Sequence, residues 1–284
     1  MESPVVSLLV PIFNVESYIE KCLHSLFAQS FKSIEYVFVN DCTPDRSIEK
    51  LWTVLNQYPD RKPFVKVINH NTNQGLSAAR KTALLHATGS YVWHIDSDDY
   101  IQPDTYEKMI YALKKENADI AVCNYEAVTD QGQSITEKNQ KMDIKDRTYS
   151  SQEAISNLCG PNYHYWVTAW NRLYKIKIAR EISFPVGKIH EDEFTAHLFY
   201  DRAEKIVGIS EPLYKYVIRE NSIMTKKYSV KNLAYVEAVN NRIEYCMEHG
   251  LEEVGQAFLR WMSRYLMNVY DKLDIKDKEV RQTY

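Results

Sequence analysis

The sequence has 284 residues, of which 45% are hydrophobic and 26% charged, and its formal net charge is −3 at pH 7. These values are ordinary for a globular protein, and so small a net charge gives no general attraction to nucleic acid. The five cysteines form no C-x-x-C pair, which argues against a zinc site or a disulfide framework, and no apolar run approaches the roughly 20 residues that cross a bilayer.

The first 128 residues alternate between two kinds of periodic segment. Short apolar runs rich in β-branched residues predict strands, and apolar residues three or four positions apart predict helices between them. Strands and helices joined by short links predict a Rossmann-like α/β fold, in which helices flank a mostly parallel sheet. The predicted strands are 5–12, 36–40, 64–69, 91–95 and 119–128, and the predicted helices begin near residue 18 and cover 48–55, 76–87 and 105–116.

The second half of the chain has a less regular pattern. The polar stretch 131–147 predicts a loop or a weak hairpin, and it is the clearest internal boundary. An irregular, aromatic stretch follows, and residues 230–273 then have the spacing of two or three amphipathic helices. We therefore predict one α/β domain made of two halves, residues 1–128 and 129–229, with a C-terminal helical extension over residues 230–284.

The candidate ligand site lies where the predicted strands end. In an open α/β sheet, ligands bind in the crevice outside the carboxyl ends of the strands, and here those ends read PIFN, VNDCTPD, NHNTNQG and HIDSDD. All eight glycines lie at or beyond Gly75. The first strand-to-helix turn therefore holds neither a G-x-G-x-x-G motif nor a phosphate-binding P-loop.

Three carboxylates follow the fourth predicted strand, at Asp96, Asp98 and Asp99, with Ser97 among them. Carboxylates this close repel one another. A D-x-D motif at the end of a strand suits a divalent cation such as Mg²⁺, whose coordination shell a substrate diphosphate completes. The alternative is a solvated acidic loop, or a cap in which Asp99 favours the next helix.

Two further polar residues lie at neighbouring strand ends. Asp41 follows the second strand, where its carboxylate suits the N–H of a nucleobase such as uracil, although Asp-x-x-Pro-Asp is also common turn chemistry. Arg80 lies on the first turns of the helix after Gly75. There it would offset the charge of a metal-bound diphosphate, or it would remain a solvated helix residue.

Acidic residues also begin a helix-like segment far downstream, where Glu191 and Asp192 precede apolar residues at helical spacing. Acidic side chains stabilise the start of a helix by about 0.3–1 kcal/mol through its dipole. In the functional alternative, one of them is a general base within hydrogen-bond reach of an acceptor hydroxyl. The segment GPNYHYWVTAW, which ends at Trp170, predicts either core packing or stacking against a sugar ring.

The motifs PIFNVESY, VNDCTPD, NTNQGLSAAR, HIDSDD and HEDEF, in this order and spacing, resemble those of family 2 glycosyltransferases of the GT-A fold. The resemblance is specific through residue 128 and extends to about residue 225, because WVTAWNRLYK and YKYVIRENSIM are similar to later segments of the family. It does not cover the helical extension. One departure is at Cys42 and Thr43, where many members of the family have Gly-Ser.

The resemblance implies a nucleoside-diphosphate sugar as donor, a divalent metal (Mn²⁺ or Mg²⁺) as cofactor, and inversion at the anomeric carbon. It implies that Asp98 binds the metal and that Arg80 faces the phosphates. Asp96 would lie near the ribose, and Asp192, with Glu191 beside it, would be the catalytic base. The remaining implied contacts are those of Pro11, Phe13, Asp41, Asn73 and Ser97 with the nucleotide, and those of Trp170 and Asn171 with the acceptor.

We therefore predict an inverting glycosyltransferase that moves a sugar from a UDP-linked donor to a hydroxyl of a glycan or a lipid-linked acceptor, in surface-polysaccharide synthesis of the bacterial type. Two alternatives stand beside this function. A sugar nucleotidyltransferase would carry a glycine-rich phosphate loop after the first strand, which PIFNVES lacks. A catalytically silent nucleotide-sugar-binding protein would show damage at Asp98 or at the Glu191-Asp192 pair, and both are intact.

The sequence also predicts where the protein acts. The N-terminal segment carries Glu2 and no Lys or Arg before its apolar stretch, unlike a signal peptide, so we expect a cytoplasmic protein. The stretch 258–273 combines apolar residues with Arg260, Arg264 and Lys272. Such a stripe predicts peripheral contact with the inner face of the membrane, or packing on its own domain or in a homo-oligomer.

Overall fold

The computed structural model describes residues 4–135, 142–219 and 232–270. Within these residues the chain forms one nine-stranded mixed sheet covered by helices. The strands are β1 Val6–Ile12, β2 Ile34–Asn40, β3 Val65–Asn69, β4 Tyr91–His94, β5 Tyr100–Ile101, β6 Ile120–Val128, β7 Thr148–Tyr149, β8 Arg172–Lys175 and β9 Ile206–Val217. The helices are α1 Ile19–Phe27, α2 Ser47–Leu55, α3 Leu76–His86, α4 Thr105–Glu116, α5 Ser151–Ser156, α6 His164–Val167, α7 Ile176–Glu181, α8 Glu191–Asp201, α9 Leu233–Glu248 and α10 Glu252–Tyr270.

The first four strands form the parallel part of the sheet. Strand β1 lies between β2 and β4, and β3 pairs with β2 at the sheet edge. All seven residues of β1 are buried, as expected for a parallel strand that has helices on both faces. The strands and helices predicted for this half are confirmed, with ends that differ by at most two residues.

The second half of the chain continues the same sheet. Strand β8 lies between β4 and β6 and is antiparallel to both, and β9 pairs with β6 in parallel. The sequence does not predict β8, because four residues are too few to show a period. The segments before and after the polar stretch 131–147 therefore share one sheet and one hydrophobic core.

The C-terminal helices pack on the chain itself. Helix α9 contacts α8, and α10 contacts α9. On α10, Val254, Phe258 and Met262 are buried, and the Trp261 Nε1–H donates a hydrogen bond of 3.3 Å to Tyr235 Oη on α9. Part of the predicted apolar stripe is thus covered by the chain's own helices, and residues 271–273 of the stripe lie outside the described residues. Among the described helices, none combines the length and the apolar character needed to cross a bilayer.

Candidate active site

The turn after β4 uses Asp99 to hold β9 in place. The buried Asp99 carboxylate accepts a hydrogen bond of 2.7 Å from Tyr214 Oη and one of 2.8 Å from the Val217 N–H, both on β9. Helix α4 begins only at Thr105. The alternative in which Asp99 caps the next helix is therefore wrong, and this carboxylate joins two strands instead.

Asp96 and Asp98 are the partly exposed carboxylates of the same turn, with side chains 25% and 19% exposed, and Ser97 between them is buried. Asp96 Oδ1 pairs with Arg80 Nη2 at 2.8 Å, and Asp98 Oδ2 pairs with Arg219 Nε at 2.6 Å. Burial raises the pKa of Asp98, while Arg219 opposes this effect and Asp96 adds to it. Each of these two carboxylates therefore has an arginine of the chain as its partner.

Arg80 connects this turn to the helix of the predicted base. Its side chain is only 2% exposed. Nη2 bonds Asp96, and Nη1 bonds Oε1 of Glu191 at the start of α8. The alternative of a solvated helix arginine is therefore wrong. A buried guanidinium that binds two carboxylates holds α3, the turn after β4 and α8 in one arrangement.

The run Glu191-Asp192-Glu193 begins α8, and its three carboxylates meet different partners. Glu191 pairs with Arg80, and Glu193 Oε2 pairs with Nη2 of the buried Arg242 at 2.8 Å. Asp192 forms no ion pair with any residue in the part of the chain that the structure describes, and its Oδ1 accepts the Glu193 N–H at 3.0 Å. Asp192 is therefore the carboxylate of this run that is available to a substrate.

Burial also shifts the protonation of this run. It raises the pKa of Asp192 to about 6, an effect that the charge of Glu193 increases and that Arg80 and Arg172 oppose. It likewise raises the pKa of Glu191, to about 7, against the attraction of Arg80. Asp192 is therefore ionised at neutral pH yet more basic than an exposed aspartate, which suits a general base.

Asp41 holds the loop that leads from β3 into α3. It is 2% exposed, and its Oδ1 lies 2.7 Å from His70 Nδ1 and accepts the Gln74 N–H at 2.8 Å. Its Oδ2 accepts the Gly75 N–H at 2.8 Å. The sequence pattern predicts that the Asp41 carboxylate is free to accept a hydrogen bond from a nucleobase. In the structure, most of the hydrogen-bonding capacity of this carboxylate is used within the chain.

The other nucleotide candidates lie around the ends of β1 and β2. Pro11 is buried within β1, whereas Phe13, just beyond the strand, is 44% exposed. The Asp41 N–H donates to the Ile12 carbonyl at 3.0 Å, which brings the two strand ends together. Asn73 Nδ2–H donates to the Asp41 carbonyl at 3.3 Å. These residues form a second group, beside the carboxylates and arginines of the β4 turn.

Two residues of the site adopt backbone angles that suit glycine. Cys42, directly after Asp41, has φ 56°, and His190, directly before Glu191, has φ 57°. For a residue with a side chain this left-handed conformation costs about 1–2 kcal/mol, and such costs concentrate at functional sites. The departure from the Gly-Ser pattern at Cys42 therefore falls where glycine would be free of strain.

Trp170 and Asn171 are buried, in contrast to their predicted contact with the acceptor. The Trp170 ring stacks on the rings of Tyr214 and Tyr216, with centroids 4.4 and 5.2 Å away. The Asn171 side chain donates to backbone carbonyls in β6 and α6 at 2.9 and 2.8 Å. Both side chains pack the interior behind the site, which is the core-packing alternative for the segment that ends at Trp170.

Arg219 and Arg242 are site residues that the sequence patterns do not identify. Each pairs with a carboxylate far away in the chain, at Asp98 and Glu193 respectively. A lone arginine in an irregular or helical segment carries no signal of its own. The available signal is the acidic run at the start of α8, because several carboxylates buried together require cations nearby.

Comparison with known proteins identifies relatives over most of the chain. The family model described as Glycosyl transferase family 2 matches residues 7–182. Glycosyltransferase GlyA of Streptococcus pneumoniae is 33% identical over 251 residues, which cover 84% of this chain and 34% of GlyA. Putative glycosyltransferase EpsH of Bacillus subtilis is 33% identical over 273 residues, which cover 87% of this chain and 74% of EpsH. The chain thus spans about a third of one relative and about three quarters of the other.

Solved structures show the same architecture. The crystal structure of TarS 1–349 of S. aureus in complex with UDP-GlcNAc matches with a TM-score of 0.71 and 23% identity. The match covers 89% of this chain and 71% of that chain. At this level of identity the likeness concerns the fold, and it confirms the predicted GT-A type of α/β architecture.

Proposed function

Since the chain belongs to glycosyl transferase family 2, as its motifs predict, we propose that it transfers a sugar with inversion from a UDP-linked donor. The acceptor is a hydroxyl of a glycan or of a lipid-linked sugar in bacterial surface-polysaccharide synthesis. Two relatives named as glycosyltransferases are bacterial, and TarS has been crystallised with UDP-GlcNAc. The observation that carries the proposal is the carboxylate of Asp192, which is free of ion pairs among the described residues and adjoins the Arg80–Glu191 pair.

In the proposed reaction, Asp192 accepts the proton of the acceptor hydroxyl while the oxygen of that hydroxyl attacks the anomeric carbon of the donor sugar. The bond between that carbon and the diphosphate oxygen breaks as the new bond forms on the opposite face of the sugar, which inverts the configuration. Glu191 is held by Arg80, so we assign it a positioning role. The buried charge of Arg80 favours the diphosphate as negative charge develops on it.

The turn after β4 suits a divalent cation. Asp96 and Glu191 share the guanidinium of Arg80 and Asp98 pairs with Arg219, so three carboxylates meet two arginines, whereas Asp99 is held by Tyr214 and Val217. No cluster of three or more His, Cys, Asp or Glu side chains in the described residues could hold a metal ion alone. Asp98, with Asp96 beside it, would therefore hold Mn²⁺ or Mg²⁺ together with the donor's diphosphate. When bound, the metal would stabilise the charge of the departing diphosphate.

The proposal divides the chain by role. Residues 1–128 bind the donor, with the exposed ring of Phe13 available to the nucleobase, and residues 129–229 contribute the base and the acceptor side. The described part of the C-terminal extension, α9 and α10, supports α8 through Arg242. Pro11, Asn73 and Asp41 border the nucleobase.

A donor screen tests the proposed function. The full chain is incubated with UDP-, GDP- and CDP-linked sugars in excess Mn²⁺ or Mg²⁺, and the release of nucleoside diphosphate is measured. We expect turnover of a UDP-linked sugar. Free UDP should also bind more tightly than CDP, because the N3–H of uridine can donate to the Asp41 carboxylate, whereas N3 of cytidine is only an acceptor. Equal affinities for UDP and CDP would remove Asp41 from the nucleobase site. Turnover confined to GDP-linked sugars would contradict the UDP-linked donor.

A further inference from the structure

A groove of about 410 Å³ lies between α3 and the segment 180–184. Three cationic residues, Arg80, Lys81 and Arg180, contribute to its lining together with apolar side chains, and no carboxylate lines it. Arg80 is already paired with Asp96 and Glu191, so the positive charge available to a ligand in the groove is that of Lys81 and Arg180. A groove with this lining favours an anion that carries an apolar group.

Arg80 contributes a buried side chain to the inner wall of the groove. Arg80 uses Nη1 and Nη2 on Glu191 and Asp96, but its buried Nε has no hydrogen-bond partner among the described residues. The guanidinium carbon lies 5.3 Å from the centroid of the Phe184 ring, which also lines the groove. Since Nε is itself buried, it is out of reach of a ligand, and this wall is a fixed surface held by two ion pairs.

The outer part of the groove is cationic and apolar. Lys81 is exposed and forms no ion pair with any described residue, and Leu85 is 73% exposed. Arg180 Nη2–H donates to the Ala87 carbonyl at 3.0 Å, which places this guanidinium at the end of α3. Lys81, Arg180 and Leu85 thus give the groove two cations and an exposed apolar side chain, a combination that is complementary in charge and polarity to an anion with an apolar tail.

We propose that this groove binds the phosphate and the first apolar carbons of a lipid-linked acceptor. This inference rests on the proposed function and specifies its acceptor. The volume is near the lower end of ligand pockets, roughly 300–1,000 Å³, so it suits a head group and a short length of chain. Arg80 lines the groove and pairs with Glu191, the neighbour of Asp192, so a single side chain separates the groove from the start of α8.

Binding of three probes to the full chain, in the presence of UDP, tests the proposal by calorimetry. The probes are farnesyl phosphate, farnesol, which lacks the phosphate, and glycerol 3-phosphate, which lacks the apolar chain. We expect farnesyl phosphate to bind at least ~10-fold more tightly than either of the others. Lys81→Glu and Leu85→Ser should each weaken its binding about five-fold or more, because one reverses a charge and the other removes apolar surface.

The matched control is Lys114→Glu, which makes the same charge change at an exposed lysine of α4 that does not line the groove. This variant should bind farnesyl phosphate as the unmodified chain does. Three results would overturn the proposal: no saturable binding of farnesyl phosphate, binding that neither groove variant weakens, or equal affinity for glycerol 3-phosphate. UDP binding and donor turnover are measured on the same samples, so a failure of the proposed function is seen separately.

Discussion

At the scale of single residues, the acidic run at the start of α8 shows how neighbours divide the work of a site. Glu191 is neutralised by Arg80 and Glu193 by Arg242, whereas Asp192 has no such partner in the described chain. Two flanking ion pairs fix the start of the helix, and the residue between them keeps its basicity. The alternative in which these acids merely favour the helix dipole does not explain two buried arginines.

Exchange of single carboxylates tests this division. Asp192→Asn is nearly isosteric, so we expect the fold and UDP binding to persist while the transfer rate falls by at least ~100-fold. Glu191→Gln should lower the rate less, because it weakens the contact with Arg80 but leaves the base in place. The measurements are kcat for transfer and Kd for UDP. A normal rate for Asp192→Asn together with an inactive Glu191→Gln would contradict this assignment and make Glu191 the base.

The pKa of Asp192 predicts opposite effects of pH on activity and stability. Burial raises it from 3.8 to about 6, so the rate should fall as pH drops below about 6 and the base gains a proton. The folded state binds this proton more tightly than the unfolded state, so stability from this group is present at low pH and is lost as pH rises through about 6. Asp192→Asn should therefore raise the free energy of unfolding at pH 8 by on the order of 1–3 kcal/mol.

Urea unfolding of both proteins at pH 8 and pH 4 measures this difference. The gain in stability of Asp192→Asn should shrink at the lower pH, where the native aspartate is itself neutral. An equal difference at the two pH values would mean that Asp192 titrates with an ordinary pKa. Catalytic residues that lower the stability of the folded protein in this way are common in enzyme sites.

At the scale of secondary-structure elements, the C-terminal helices determine the position of α8. Arg242 on α9 donates from Nη2 to the Glu193 carbonyl at 2.6 Å and to Glu193 Oε2 at 2.8 Å. Its Nη1 donates to the Leu158 carbonyl at 3.4 Å. One guanidinium thus connects the extension, the start of α8 and Leu158, two residues beyond α5, although the family resemblance does not reach the extension.

Removal of this guanidinium should be costly. We expect Arg242→Met to lower the free energy of unfolding by about 3–5 kcal/mol, because it leaves the buried Glu193 without its cation. The double variant Glu193→Gln/Arg242→Met should recover part of that loss, since no unpaired charge remains. Chemical denaturation of the three proteins measures both effects. A double variant less stable than Arg242→Met would contradict the role assigned to the ion pair.

Helix α10 presents a smaller apolar face to solvent than its sequence suggests. Its inner residues are buried, and those that remain exposed include Leu259, Leu266 and Met267. We expect the triple variant Leu259→Ser/Leu266→Ser/Met267→Ser to co-sediment with vesicles of phosphatidylglycerol and phosphatidylcholine as the unmodified chain does. Reduced co-sedimentation of the variant would restore the interfacial interpretation of this stripe.

Hydrophobic periodicity predicts the first half of the sheet because each strand there is a continuous apolar run between turn residues. It fails for β8 and β5, which have four and two residues and are positioned by their neighbours in the sheet. The same limit applies to the site. The D-x-D and E-D motifs are local patterns and can be found, as can Arg80 on the helix after Gly75, whereas Arg219 and Arg242 come from distant segments that carry no such pattern.

At the scale of the whole molecule, the sheet gathers charges that are far apart in sequence. Arg80 comes from α3, Asp98 from the turn after β4, Arg219 from beyond β9 and Glu191 from α8. Each carboxylate is recognisable from its motif, but the sign of the whole site follows only from counting its partners. By that count Asp96, Asp98 and Glu191 outnumber Arg80 and Arg219 by one at the carboxyl edge of the sheet, which is where an open α/β sheet binds its ligands.

This excess predicts that activity depends on a divalent cation. Transfer should cease when a chelator is added and return with Mn²⁺ or Mg²⁺, because the edge of the sheet otherwise repels a diphosphate. Asp98→Asn should weaken UDP binding together with the rate, since it removes the proposed metal ligand. Asp99→Asn is the contrasting variant: it weakens the contacts with Tyr214 and β9, so it should lower stability but keep the apparent affinity for Mn²⁺ in the presence of UDP. Full activity in excess chelator would show that Arg80 and Arg219 alone are enough to hold the diphosphate, and that the acidic turn acts only through its ion pairs.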